Sequence, residues 1–481
     1  MPRPTSKAAP ILVWFRRDLR LADNPALAAA LERGGVVVPV FILDPAEPLG
    51  GASAWWLHGS LAALSANLAR LGAPLVLRRG DPARLIPKIA REAGAGAVYW
   101  NRLYEPAAIA RDKALKAALA ADAFEVQSFA ASLLAEPWEV RTGADTPFKV
   151  FTPFWRALSR APMPAPLPAP TRLTGPVGLP SENLDSWNLR PTRPDWAAGL
   201  HDAWAPGEKQ AAKRLAGFLD NAIRSYGEAR NMPAIDATSR LSPHLHWGEI
   251  SPRQIWSAAE AAAIAHPEAG SGVAAFLREL GWRDFAHHLM FHWPQVVTEN
   301  WKPEFDAFPW EIDDAAFRRW TRGETGYPIV DAGMRELWKT GFMHNRVRMI
   351  AASFLVKHLL IDWRRGAEWF EDTLVDADLA VNRASWQWVA GSGADAAPYF
   401  RIFNPVLQGE KFDTDGAYVR AHLPELAGLD ARYIHKPWAA PAEALTKAGV
   451  ALGSNYARPM VDHAKARARA LAAYAAIRRP G

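Results

Sequence analysis

Ile11-Leu-Val-Trp-Phe-Arg-Arg-Asp18 decides the fold class. Five apolar residues end abruptly in charge, and the run reads as a strand buried on both faces. Asn24-Pro25 follows, an N-cap and then the residue whose fixed φ suits the first helical position. A second buried strand is expected over 36–43, with further strands at 75–77 and 98–100. Helical patterns fill the gaps, over 60–71, 82–92 and 107–121. Strands alternating with helices predict a parallel sheet covered on both faces, a Rossmann-like α/β domain over residues 1–132.

Beyond it the pattern weakens. A short helix is expected over 152–158, and Ala161-Pro-Met-Pro-Ala-Pro-Leu-Pro-Ala-Pro170 can be neither helix nor interior strand. Residues 133–206 therefore read as a connector laid on the surface. From 207 to 481 strand signals nearly vanish. Helices are expected over 210–224, 252–265, 273–293, 313–322, 330–339, 343–360 and 457–478, an all-α second domain without internal repeats. Two glycine patterns are decoys. Gly391-Ser-Gly393 has no strand before it, and Gly94-Ala-Gly96 precedes a strand instead of following one, so neither fits a dinucleotide fingerprint.

Hydrophobic residues make up 49% of the 481, enough for a sizeable core. The net charge of +6 fits a nucleic-acid partner without requiring one. Cysteine is absent, which excludes disulfides, a thiol nucleophile, cysteine-ligated zinc and a protein-held iron–sulfur cluster. No signal peptide or membrane-spanning run is visible, so a cytoplasmic protein is expected. The 22 tryptophans exceed ordinary usage and suggest stacking surfaces or redox roles.

The most informative stretch for chemistry is Asp376-Ala-Asp-Leu-Ala-Val-Asn382-Arg-Ala-Ser-Trp386-Gln-Trp388. Carboxylates two apart cannot share a helical face, so Asp376 and Asp378 belong in a turn at the mouth of a helix. Acceptors there, the Asn382 amide and two indoles flanking a glutamine suggest a cavity around a flat heteroaromatic ligand. The plainer reading is a helix cap followed by core aromatics. Thr238-Ser-Arg-Leu-Ser242-Pro243 offers hydroxyls and free N–H groups at a helix start, either a diphosphate cradle or a simple N-cap. Glu279 and Trp282 share one helical face, as do Asn345 and Met349, and the four could line a pocket for a base. For Trp282 and Met349 spacing alone favours core packing. Glu279 beside Leu280 must reach water or bind something. Arg230, Arg346, Arg401 and Lys411 are candidate phosphate contacts, although each alone fits a solvated surface residue. Lys465, Arg467 and Arg469 read as a solvated helix face.

Taken together the motifs become specific. Val13-Trp-Phe-Arg-Arg-Asp-Leu-Arg20, His246-Trp-Gly-Glu-Ile-Ser-Pro252, Trp282-Arg-Asp-Phe285, Gly326-Tyr-Pro-Ile-Val-Asp331, Met343-His-Asn-Arg-Val-Arg-Met349 and Arg401-Ile-Phe-Asn-Pro405 occur in this order around the stretches above. This set resembles the DNA photolyase/cryptochrome family over nearly the whole chain. The resemblance implies an α/β antenna domain, a connector and a helical FAD-binding domain. It implies that Tyr226, Thr238, Ser239, Arg240, Leu241 and Ser242 hold the FAD diphosphate region. Arg348 would pair with Asp376, Asp376 and Asp378 would face the isoalloxazine edge, and Asn382 would lie beside flavin N5. Trp386, Trp363 and Trp310 match the tryptophans that carry electrons to photo-oxidised flavin. Glu279, Trp282, Asn345, Met349 and Trp388 match the lesion pocket, and Arg230, Arg346, Arg401 and Gln408 match DNA contacts.

The chemistry implied is electron transfer from excited, reduced FAD to a flipped-out cyclobutane pyrimidine dimer in UV-damaged DNA, then ring splitting and electron return. A blue-light photoreceptor of the cryptochrome type is the alternative. Asn345 and Met349 stand where (6-4) photolyases have a histidine pair, and Met349 where DASH-type proteins usually have glutamine. Plant cryptochromes typically have aspartate in place of Asn382 and tyrosine in place of Trp388, and often a long tail, whereas this chain ends soon after its last helix. These comparisons point to a bacterial dimer photolyase, class I or class III. A monomer and a second, antenna chromophore are expected. Ala107 and Ala108 replace the Asn-Glu pair of the best-known folate pattern after Tyr104-Glu105. A methenyltetrahydrofolate held differently is favoured, and a deazaflavin stays open.

Overall fold

The computed structural model describes residues 9–395 and 400–478. The first third is a five-stranded parallel sheet in the order β3-β2-β1-β4-β5. Its elements are β1 (Ile11–Phe15), α1 (Pro25–Arg33), β2 (Val37–Leu43), α2 (Gly51–Leu71), β3 (Val76–Arg79), α3 (Pro82–Glu92), β4 (Ala97–Asn101), α4 (Pro106–Ala121) and β5 (Glu125–Phe129). β1 is wholly buried because helices cover both faces. Asn24 caps α1 as expected, its side chain accepting from Leu27 N at 3.1 Å. β5 is absent from the sequence expectation because Glu125-Val-Gln-Ser-Phe129 is a partly exposed edge strand without an apolar run. α2 begins nine residues earlier than expected, at Gly51, where two glycines read as loop.

Ligands of open parallel sheets sit where strand order reverses, here between β1 and β4. That point is filled by protein: Asn101 donates to Asp18 at 2.6 Å and to Asn24 at 2.8 Å. The connector holds α5 (Phe151–Leu158) and a short helix over Ala198–Ala203, and its proline-rich stretch is pinned to the sheet domain. Leu167 exchanges hydrogen bonds with Asp23, and Val37 N donates to Thr174 O at 2.8 Å.

The remainder is helical, around the long Gly270–His292 helix and a large apolar core that includes Trp320, Trp363 and Trp386. The helix expected over 343–360 is broken. An α-helix spans Asn345–Ser353, a π-turn covers Phe354–His358, and Leu360 adopts left-handed backbone at φ 55°. The wider turn buries Lys357, whose ammonium donates to Arg401 O at 2.5 Å. The last helix starts at His463, six residues later than expected.

Arg20, fully buried, ties the halves together. Its guanidinium donates to Asp23 O and Ala131 O on one side and to Gly248 O, 3.0 Å away, on the other. Gly248 is required there: its φ is 65°, and a Cβ would lie 2.1 Å from Arg17 O.

Candidate flavin and DNA site

Asp376 and Asp378 form a turn at the mouth of the Leu379–Ala390 helix, as the i, i+2 spacing demanded. Asp378 caps that helix through Val381 N at 3.0 Å, and its other oxygen meets His287 Nε2 at 3.0 Å. Burial alone would raise the Asp378 carboxyl, but His287 and Arg283 outweigh it and hold it well below the usual carboxylate range. Arg348 reaches both oxygens of Asp376, at 3.1 and 2.9 Å, and is itself fixed by Met343 O. Asn382 donates to Ala367 O at 3.0 Å and to Glu371 at 3.1 Å. Its nitrogen is thereby committed to protein acceptors, and Oδ1 is its remaining polar atom.

Gln387, between the two indoles, is fully buried, accepts from Trp301 N and donates to Val296 O and Glu299 O, so it staples a loop. The cap reading of 238–243 fails: Leu241 precedes the short Ser242–His246 helix, and no side chain caps it. Arg240 has left-handed backbone at φ 49° and lies over Trp204 and Phe342, and its buried Nε has no partner among the described residues. An orphaned guanidinium donor beside hydroxyls and a helix start suits an anion. Buried acceptors at the 376–378 turn suit the N–H edge of a ring. The residues present thus fit a dinucleotide with a flat polar head.

Trp386 is buried against Phe370, ring centres 5.0 Å apart, and Trp320, 6.2 Å away. Gly366 permits this packing, since a Cβ there would fall 2.2 Å from the Trp386 ring. Trp363 is fully buried with its N–H on Asn300 at 2.9 Å, and half-buried Trp310 packs on Phe308. All three tryptophans expected to carry electrons therefore lie in or against one core. Trp320, also wholly buried there, was not singled out from the sequence, because nothing local separates it from a core tryptophan.

On the Gly270–His292 helix, Trp282 stacks on Phe151 at 3.6 Å and 9° between planes. Phe151 comes from the connector, 131 residues earlier, and carried no sequence signal. Glu279 Oε1 lies 2.5 Å from Arg230 Nη1, and Arg230 also overlies the Tyr226 ring. Burial pushes the Tyr226 hydroxyl up to about 12. Arg346 donates to Asn231 at 2.6 Å and lies over Phe412. Burial, then Arg230, then Arg401 lower the Arg346 guanidinium, so the three cations share one neighbourhood. Asn345 is exposed beside Arg346, Met349, Trp388 and Gln408 are half-buried, and Arg401 is exposed. Met349 is outside the buried core, contrary to the core-packing preference for it.

The model describing the FAD binding domain of DNA photolyase matches residues 276–476, and that describing DNA photolyase matches 11–171. A deoxyribodipyrimidine photo-lyase from Agrobacterium fabrum is 56% identical over 98% of this chain and 99% of its own length. Cryptochrome-2 of Arabidopsis thaliana is 40% identical over 94% of this chain and 76% of its own. The crystal structure of a bacterial class III photolyase from Agrobacterium tumefaciens superposes with a TM-score of 0.97 at 55% identity, each chain covered completely. An end-to-end match of sequence and fold on this scale places the chain in the DNA photolyase family.

Proposed function

We propose that this chain uses light to split cyclobutane pyrimidine dimers in DNA, with FAD as its resident cofactor. One observation carries the reading. Asp378, Asn382 and Trp386 repeat every four residues along one helical face, at 8%, 8% and 2% exposure. A cap carboxylate, an amide oxygen and an indole in one buried stripe suit the edge, centre and electron source of a bound flavin. The match to the Agrobacterium photo-lyase supports the same conclusion, and its identity exceeds that to the Arabidopsis cryptochrome.

When bound, reduced FAD would supply the photoexcited electron that opens the cyclobutane ring. The protein's part is position and electrostatics. Arg240 with Tyr226, Thr238, Ser239, Leu241 and Ser242 would hold the diphosphate. Asp376, fixed by Arg348, and Asp378, fixed by His287, would accept from the ring edge. Asn382 Oδ1 would meet N5. Arg230, Arg346, Arg401 and Gln408 would grip phosphates around a flipped lesion. Trp282, held flat by Phe151, would offer it a face beside Trp388, Asn345 and Met349, and Glu279 would accept from it.

A second chromophore would sit over the crevice at the carboxyl ends of β1 and β2, lined by Trp14, Arg16, Phe41, Arg111 and Trp247, which would have to open to admit it. Buried donors there, Trp14 Nε1, Arg16 Nε and Arg111 Nη2, have no partner among the described residues. They suit an aromatic ligand rich in acceptors, with a folate favoured over a deazaflavin. Similarity to the class III structure favours class III over class I. No described helix is long and apolar enough to cross a membrane.

The test is a comparison of wild type with Glu279→Ala on thymine-dimer DNA under blue light. Repair should fall at least about tenfold, the loss of one acceptor to a polar substrate group, while flavin binding persists. Undiminished repair would misplace the lesion pocket.

A further inference from the structure

Glu279 is asked to do two things at once. On the reading above it accepts a hydrogen bond from the flipped lesion. In the structure its Oε1 is already 2.5 Å from Arg230 Nη1, with side-chain exposures of 31% and 24%. The pair is partly shielded, accessible at its edge, and sits in the neighbourhood of Arg346 and Arg401. Arg346 has an amide partner, Asn231, where Arg230 has a carboxylate. Burial is the largest influence and opposes the Arg230 charge, but the hydrogen bond to Glu279 and the charge attraction of Glu279 and Tyr226 together outweigh it and keep the guanidinium above its ordinary range.

A phosphate arriving at Arg230 must compete with Glu279. If it wins, a carboxylate is stranded beside a polyanion unless something else takes it up. An extruded pyrimidine dimer presents N–H donors that can, whereas intact stacked duplex presents none at this point. We propose that the Arg230–Glu279 ion pair is an exchangeable lock that sets selectivity for damaged DNA. A phosphate reaches Arg230 only by breaking the pair; undamaged duplex leaves it closed, and only a flipped lesion recaptures the released carboxylate. This rests on the assignment of Glu279 to the lesion pocket and of Arg230 to phosphate.

The lock has an unusual signature: removing an acceptor should tighten binding to the wrong substrate. Glu279→Gln keeps the shape and frees Arg230. Its affinity for undamaged duplex should rise about two- to fivefold, the worth of a partly exposed ion pair. The slope of log affinity against log salt should steepen by about 0.9, one more neutralised phosphate. The ratio of damaged to undamaged affinity should fall. In an Arg230→Gln background the gain from Glu279→Gln should vanish, which isolates the pair by a double-mutant cycle. Flavin absorbance in each purified variant reports that the fold is intact.

Wild-type affinity and salt slope for undamaged DNA in Glu279→Gln would overturn the lock, as would a gain that survives without Arg230. The cycle on undamaged duplex uses no lesion and no light. Failure of wild type to repair dimers would therefore count against the functional reading, and a flat cycle against the lock.

Discussion

Asn382 illustrates how one residue is prepared for a ligand. Both protons of its amide can be accounted for by Ala367 O and Glu371, so the side chain cannot rotate without losing hydrogen bonds. Arg383 holds Glu371 in turn through two contacts at 2.7 Å. If its Oδ1 faces N5, as proposed, this fixed acceptor would favour the reduced, protonated ring over the oxidised one. Asn382→Leu should therefore bind FAD but reoxidise in the dark about tenfold faster, read from recovery of oxidised-flavin absorbance. Unchanged reoxidation would detach Asn382 from N5. The sequence exposed this residue's type and its distance from Asp378, hence its place on the helix. It could not expose the Arg230–Glu279 pair, because nothing in a chain marks two residues 49 apart as partners. The role of Gln387 was hidden for a similar reason: its hydrogen bonds go to a loop about 90 residues away in the chain.

Among the elements, the Trp363–Thr373 and Leu379–Ala390 helices lie against each other because Gly366 lets the Trp386 ring approach. A chain of electron donors must end where an outside reductant can reach it. Trp310 is half-buried, whereas Trp320 is fully buried, stacked near Phe317 and Phe370, with its N–H on Ala351 O at 3.0 Å. Trp386→Phe should abolish photoreduction of oxidised flavin by external thiol, and Trp320→Phe should leave it nearly intact. Loss of photoreduction in Trp320→Phe would move the route off Trp363 and Trp310. The buried strands and long helices were legible because apolar runs and 3.6-residue spacing are local signals. Edge strand β5 was not, since half its side chains face water. The break at 354–360 was not either, because a π-turn answers to tertiary packing.

At the scale of the molecule, the two halves are joined by shared apolar packing, with Trp247, Phe342 and Val375 of the helical half in the sheet domain's core, and by buried charge. Besides the Arg20 clamp, Arg17 of the sheet domain pairs with Glu105, and both lie within the electrostatic reach of Asp378 in the helical half. Such a network fixes the sheet domain against the helical half, and it depends on protonation. Burial is the largest cause holding His246, His288, His344 and His422 down to about 4 and His358 to about 3. Their unfolded value is about 6.5, so the native state favours the neutral form. The resulting stability is complete above the unfolded pKa and is lost as pH falls from about 6.5 towards 4. The melting temperature should drop by on the order of 10 °C between about pH 7.5 and pH 5. A flat profile would mean that these histidines are hydrated in solution.

The central claim is that the helical half brings a reduced flavin close enough to an extruded dimer to lend it an electron. Its most direct test is to mix the reduced holoprotein with an oligonucleotide carrying a single thymine dimer and quantify intact thymines after blue light. The expected result is stoichiometric or catalytic restoration under light and none in the dark. Flavin bound and fully reduced, damaged strand bound, and no thymine recovered under light would contradict it.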